Sequence, residues 1–212
     1  AIAELSQNPA EVRIADGRRL ERWPETMSQS SDARPIREPG VILISGGLGS
    51  IGQKLAGRLA ATGTKIALLG RSALTAEGET FLSTLRTRGA LVRYWRTDVS
   101  DAASVLSAVK DIRDVFGPIT AVHHLAGTMG SNLLSTKDVD EARAVLSAKI
   151  DGAINLDAAT RDDPVKAFVL HGSLSSIVGD FGQGDYAMAN AFLETFAEVR
   201  SARGPGRSLA IC

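Results

Sequence analysis

The chain has 212 residues, 44% apolar and 23% charged, with 24 Lys plus Arg against 24 Asp plus Glu. That is enough for one good core, or one domain and a fragment, and the neutral balance argues against a basic nucleic-acid surface or an acidic tail. A single cysteine, Cys212, excludes an internal disulfide framework and points to a reducing, cytoplasmic setting; no apolar run has membrane-spanning length and no signal-peptide pattern opens the chain.

Residues 1–40 differ from the rest. EVRIADGRRLERW carries two polar, strand-compatible pieces around Asp16-Gly17, a hairpin turn signal. ETMSQSSDARPIREPG is rich in Ser, Pro and charge and reads as a linker. The first residue is not Met. The expectation is a piece of a longer chain, with residues 1–23 the trailing edge of a neighbouring unit and 24–40 a connection into a main domain over 41–212.

The main domain opens on VILISGGLGSIG, an apolar run, a glycine turn and then a helical pattern. Gly47, Gly49 and Gly52 stand at the G-x-G-x-x-G spacing, which serves a tight turn, close backbone approach to a pyrophosphate, and close packing of helix on strand. The helix N-terminus offers unpaired N–H donors and the positive end of its dipole to an anion. Ser45, Gly47, Leu48, Gly49, Ser50 and Ile51 are therefore candidate cofactor contacts.

Strand-like runs follow at 65–70, 91–99, 119–127, 166–173 and 207–212, with helical patterns at about 52–62, 75–88, 101–116, 138–160 and 185–203. Alternating strand and helix implies a parallel sheet with right-handed crossovers, and near-continuous apolar strands imply cover on both faces. The predicted fold is a doubly wound, Rossmann-like α/β sheet of order 3-2-1-4-5-6, with its ligand beyond the strand C-terminal ends.

The second strand of this domain ends in Gly70-Arg71-Ser72, where NAD-binding versions would carry a ribose-binding carboxylate. A guanidinium and a hydroxyl suit a 2′-phosphate, which favours NADPH over NADH. Asp98 and Val99 follow the third strand, where a carboxylate can accept from the adenine amino group. Ala126 and Gly127 follow the fourth, small enough for backbone to lie against the nicotinamide ribose.

Ser173 ends the fifth strand, Tyr186 follows 13 residues later, and Asn190 lies one helical turn beyond it on the same face. Lys149 sits on the preceding helix. A tyrosine serves as proton donor when its phenolate is stabilised, which a nearby ammonium does by Coulomb attraction. A serine hydroxyl can hold a carbonyl oxygen where charge develops, and an asparagine can position the lysine or a relay water. Together Lys149, Ser173, Tyr186 and Asn190 suit hydride delivery to a carbonyl with proton donation by the tyrosine.

SGGLGSIG, LLGRS, TDVSD, HHLAG, AKIDGAINLD, SLSSIVGDFGQGDYAMANAFLETFA and RGPGRSLAI, spread over about residues 41–211, resemble the ketoreductase domain of a modular type I polyketide synthase, within the short-chain dehydrogenase/reductase superfamily. Ordinary members place the lysine four residues after the tyrosine; Asn190 with Lys149 on the earlier helix is typical of polyketide ketoreductases. GQGDYAMANAFLE is most similar to synthases whose acyltransferase acts in trans. EVRIADGRRLERW resembles the last hairpin of the family's structural subdomain. The resemblance implies NADPH-dependent reduction of a β-ketoacyl chain thioester-linked to the phosphopantetheine arm of an acyl carrier protein, among neighbouring synthase domains. Tyr186 would protonate the oxygen, Ser173 would hydrogen-bond it, Lys149 would lower the tyrosine pKa, and Asn190 would support that network. It also places a further strand and a lid helix beyond Cys212.

Two features depart from the family pattern. His171-Gly172 stands where an aromatic and a serine are usual, so His171 either lines the pocket or is a satisfied structural residue. Neither stereochemical fingerprint is present: Thr128-Met129-Gly130-Ser131 replaces a Leu-Asp-Asp motif, and Val178 replaces a Trp. His123 and His124 read as strand residues near the cofactor, and no spacing supports a metal site. Two readings compete with the reductase: an inactive ketoreductase-like structural module, and a free-standing reductase of a diffusible ketone.

Overall fold

The computed structural model describes residues 12–16, 18–21, 40–130, 132–133, 135–204 and 206–212. The chain divides into two compact units, Ala1–Arg37 and Glu38–Cys212. In the first, β1 (Val12–Ala15) and β2 (Arg18–Glu21) form an antiparallel hairpin in which Ala15 faces Arg18. Asp16 takes φ 52°, the left-handed conformation that a two-residue hairpin turn demands. The linker reading over residues 24–39 falls outside the described residues.

The second unit is a six-stranded sheet built from β3 (Val41–Ser45), β4 (Lys65–Gly70), β5 (Leu91–Arg96), β6 (Ile119–His124), β7 (Ala167–His171) and β8 (Arg207–Ile211). Its spatial order is β5-β4-β3-β6-β7-β8, and every pair is parallel. This is the predicted 3-2-1-4-5-6 order. The helices are α1 (Ser50–Leu59), α2 (Ala76–Thr87), α3 (Ala102–Phe116), α4 (Val139–Ala159), α5 (Ser175–Val178) and α6 (Gly184–Arg203).

Side-chain alternation along each strand explains the continuous apolar runs. In β4, Ile66 and Leu68 pack with Ala56 of α1 and Leu82 and Leu85 of α2. Ala67 and Leu69 belong to the opposite layer, with Val109 and Ile112 of α3, Leu156 of α4 and Leu193 of α6. Each fully buried Leu or Ile contributes roughly 1.5–3 kcal/mol. The edge strands β5 and β8 alternate buried with exposed positions, whereas β4 is buried across its middle.

Several boundaries differ from the sequence reading. The third strand of the domain ends at Arg96, because Thr97 N–H makes the last bond across to the Gly70 carbonyl and Asp98 then turns the chain by accepting from Ser100. The fourth ends at His124: the Leu125 amide makes the last bond to the Ser45 carbonyl, and it and the Ala126 amide turn to Ser45 Oγ. The fifth ends at His171, which leaves Ser173 two residues beyond it. Ser175 and Ser176 open the one-turn helix α5. Among the described residues no helix is long and apolar enough to cross a membrane, and no cluster of His, Cys, Asp or Glu is placed to hold a metal.

Candidate active site

The glycine turn joins β3 to α1 at the point where the sheet order reverses. Gly46 takes φ +67°, so the turn's left-handed residue is the glycine just before the three picked out by spacing. Gly52 is needed for close approach: a Cβ there would strike the Gly46 carbonyl and come within 2.8 Å of Gly47 Cα. Thr75, Asp101 and Asp138 cap α2, α3 and α4 with their side chains. Helix α1 has no side-chain cap and no acidic residue in its first turn, which leaves its N–H groups for an anion. The turn therefore fits a dinucleotide pyrophosphate.

Two adjoining cavities run from this turn. One, of about 110 Å³, is lined by Gly46, Gly70, Arg71, Thr97, Asp98, Val99, Ala126, Gly127 and Ala148. The other, of about 400 Å³, includes Leu48, Gly49, Arg71, Ser72, Glu77 and Tyr94. Most of the predicted cofactor contacts thus line one continuous stretch of the molecule. Ser45 does not: its side chain is fully buried and bonded internally. Gly47 packs against Leu68. Ser50 and Ile51 point outward on the first turn of α1, Ile51 being 63% exposed.

The loop that would meet the adenosine end is shaped by two residues that sequence reasoning missed. Tyr94 Oη donates to the Ser72 carbonyl at 2.6 Å, and Arg96 Nε donates to the Arg71 carbonyl at 3.1 Å. Both lie on β5, whose pairing with β4 brings Arg96 opposite Gly70. Asp98 is held below the ordinary carboxylate range. Burial opposes that shift, and the Ser100 bonds and the Arg71 charge outweigh it.

The four candidate catalytic residues are joined in a closed circuit. Lys149, 4% exposed on α4, donates to the His171 carbonyl at 2.9 Å and stands 5.3 Å from the Tyr186 ring centroid. Asn190, fully buried, donates through Nδ2 to the Tyr186 carbonyl at 2.9 Å and to Ser175 Oγ at 3.4 Å. Ser175 N–H donates to Ser173 Oγ at 3.3 Å, and among the described residues no hydrogen bond uses the Ser173 hydroxyl proton. His171 is two residues before Ser173, so the circuit returns to Lys149. Burial pushes the Lys149 ammonium down to about 8, with Cys212 opposing the shift. Asn190 makes no hydrogen bond with Lys149 among the described residues; it ties Tyr186 to the Ser173 turn instead. Among the described residues its Oδ1 is buried without a partner, the position of an acceptor for water. Gly127 leaves room for Lys149, whose Cε would lie 3.1 Å from a Cβ there.

Beneath the circuit, His124 donates from Nε2 to the Lys149 carbonyl at 3.1 Å, because that oxygen can only accept. Its Nδ1 then accepts from Ser45 Oγ at 2.7 Å, while Ser45 accepts from the Leu125 and Ala126 amides. Burial drives His124 down to about 3, so it stays neutral. His123 Nδ1 and His171 Nε2 lie 3.3 Å apart. Burial lowers both, His123 to about 4. His171 thus forms a neutral ring pair across β6 and β7. The Ser176 hydroxyl lies within hydrogen-bond reach of both the Glu194 carboxyl, one turn beyond Asn190, and the Ser173 carbonyl, the latter at 2.8 Å.

Residues 40–212 match the model of the KR domain family. Polyketide synthase PksL of Bacillus subtilis (strain 168) is 33% identical over 210 residues, covering 95% of this chain and 5% of its own length. Polyketide synthase ThaG of Burkholderia thailandensis is 38% identical over 174 residues, covering 81% of this chain and 3% of its own length. The chain therefore spans a small part of these relatives. Among solved structures, a ketoreductase domain from the bacillaene assembly line is 32% identical with a TM-score of 0.85, over 94% of this chain and 49% of that one. An N-terminal ketoreductase from the macrolactin assembly line is 31% identical with a TM-score of 0.80, over 91% and 39%. An NAD+-bound xylitol dehydrogenase is 26% identical with a TM-score of 0.71, over 81% and 68%. On this footing the chain belongs to the KR domain family and has the short-chain dehydrogenase/reductase fold.

Proposed function

We propose that this chain uses NADPH to reduce the β-keto group of an acyl chain held on an acyl carrier protein, giving the β-hydroxyl. The observation that carries the reading is the placement of Lys149: a buried ammonium over the Tyr186 ring, tied to the strand end that leads into Ser173. When bound, the nicotinamide supplies the hydride. The Ser173 hydroxyl donates to the substrate oxygen and holds it while charge builds there. Tyr186 delivers its phenolic proton to that oxygen, and the Lys149 ammonium stabilises the phenolate left behind. Asn190 keeps Tyr186 and the Ser173 turn in register. Arg71 and Ser72 take the 2′-phosphate that distinguishes NADPH.

The polyketide synthase relatives and assembly-line neighbours support a carrier-bound substrate and neighbouring synthase domains as partners. The wording GQGDYAMANAFLE supports a synthase whose acyltransferase acts in trans, and a cytoplasmic setting follows. The test is NADPH oxidation with a β-ketoacyl pantetheine thioester, parent beside Tyr186→Phe. Parent turnover, with a loss of roughly a thousandfold or more in the variant and NADPH binding unchanged, supports the mechanism. A parent that binds NADPH but never turns over sinks it in favour of a structural module.

A further inference from the structure

The stretch between β6 and α4 meets the start of α6 in a buried ion pair. Lys137 Nζ lies 2.9 Å from Asp185 Oδ1, and each side chain is only 3% exposed. The same ammonium donates to the Gly182 carbonyl at 3.2 Å, and the same carboxylate oxygen accepts the Tyr186 amide N–H at 2.9 Å. Room for the pair comes from Gly130, where a Cβ would stand 2.6 Å from Asp185 Oδ2 and 2.7 Å from Lys137 Nζ. Two charges this deep lose their hydration, and apolar residues of similar size often stabilise a fold as well or better. Stability alone is therefore a weak reason for the pair. Its position supplies a better one, because Asp185 directly precedes Tyr186 and Lys137 directly precedes the cap of α4, the helix that carries Lys149.

We propose that Lys137 and Asp185 form an ionic latch that sets residues 135–138, the approach to α4, against the first turn of α6, making both of them positioning residues for Tyr186. The inference rests on the reading of Tyr186 as proton donor. The latch fixes the two ends of the catalytic circuit relative to each other. Lys137 anchors the approach to α4 to the turn before α6 through the Gly182 carbonyl, and Asp185 anchors the Tyr186 amide. Displacement of a reacting group by about 1 Å costs on the order of a hundredfold in rate, so a latch of this kind acts on kcat rather than on cofactor affinity.

Hydrogen exchange and kinetics on the full chain test this, using K137M, D185N, K137R and the apolar pair K137M/D185L. In K137M, amide exchange should rise roughly tenfold or more in segments 135–138 and 182–188 together, while K137R stays near the parent. A rise in only one segment, or in neither, overturns the latch. With the β-ketoacyl thioester, K137M and D185N should lose roughly tenfold or more in kcat, with the NADPH Kd within about twofold of the parent. K137M/D185L should recover the parent's thermal midpoint but not its kcat, because apolar replacement restores packing without restoring the bond to the Tyr186 amide. Parent-like kcat in that variant overturns the proposal, and the variant carries the kinetic test if K137M does not fold. If the parent itself does not turn over, the proposed function fails, and the exchange results decide the latch by themselves.

Discussion

Lys149 shows how one residue can favour chemistry at the expense of stability. Its ammonium is buried against Gly127 and the Tyr186 ring, and burial pulls it down to about 8 from the usual 10.5. The folded chain therefore binds this proton less tightly than the unfolded chain does. Below about pH 8 both states carry the charge, and the folded state bears the full cost of burying it. Between about 8 and 10.5 the folded state has lost the proton while the unfolded state keeps it, so this group's cost to folding is relieved as pH rises. Activity should run the other way, because only the ammonium can stabilise a Tyr186 phenolate. Reduction rate should fall as pH rises through about 8. The Tm difference between parent and Lys149→Met should shift in favour of the parent over the same window. A kcat profile that stays flat to pH 10 would remove Lys149 from the proton chemistry.

At the scale of elements, the sheet is held in register by contacts made far from the site. Arg113, near the end of α3, forms a bidentate pair with Asp163 at 2.6–3.2 Å and also donates to the Ala159 carbonyl at the end of α4. Asp163 accepts the Ile119 amide as well, at the start of β6. One carboxylate thus joins α3, the exit of α4 and the first residue of the strand leading to His124. Asp163→Ala should cost about 2–4 kcal/mol, since it leaves Arg113 without its counter-ion and a buried N–H without an acceptor. Denaturant midpoints at unchanged m-value would measure it. A loss below about 1 kcal/mol would mean that water replaces the carboxylate. Neither this tie nor the Lys137–Asp185 latch is legible in the sequence, because the partners lie 50 and 48 residues apart and meet only through the paths of loops. What can be read is periodic or local. The apolar runs gave the sheet order, and the i, i+4 placement of Tyr186 and Asn190 gave one helix face. Strand ends were overshot because apolar residues continue past the last ladder bond, as in HHLAG. Position beside the glycines puts Ser45 among the expected cofactor contacts, while its side chain turns inward. Its actual partner, His124, comes from β6, the strand paired beside it.

For the molecule as a whole, equal numbers of acidic and basic residues leave no net charge to draw an anionic cofactor from a distance. Discrimination between NADPH and NADH must then come from charges within a few ångströms of the 2′ position. Arg71 is the cation lining both cavities. Its loop is fixed through the carbonyls held by Tyr94 and Arg96. Glu77 lines the larger cavity too, so a carboxylate partly offsets the guanidinium there. A short-range contact of this kind is weakened by salt only where the ligand carries the extra phosphate charge. Raising ionic strength from about 0.05 to 0.5 M, which shortens the Debye length from over 10 Å to under 5 Å, should weaken NADPH binding by roughly threefold or more and leave NADH nearly unchanged. Arg71→Ala should cost NADPH roughly ten- to a hundredfold in Kd, the worth of a charge-assisted phosphate contact, again with little change for NADH. Titration of both cofactors by fluorescence measures all four constants. If the two cofactors weaken equally in the variant, Arg71 shapes the cleft but does not read the phosphate, and the preference for NADPH would have to rest on another cation.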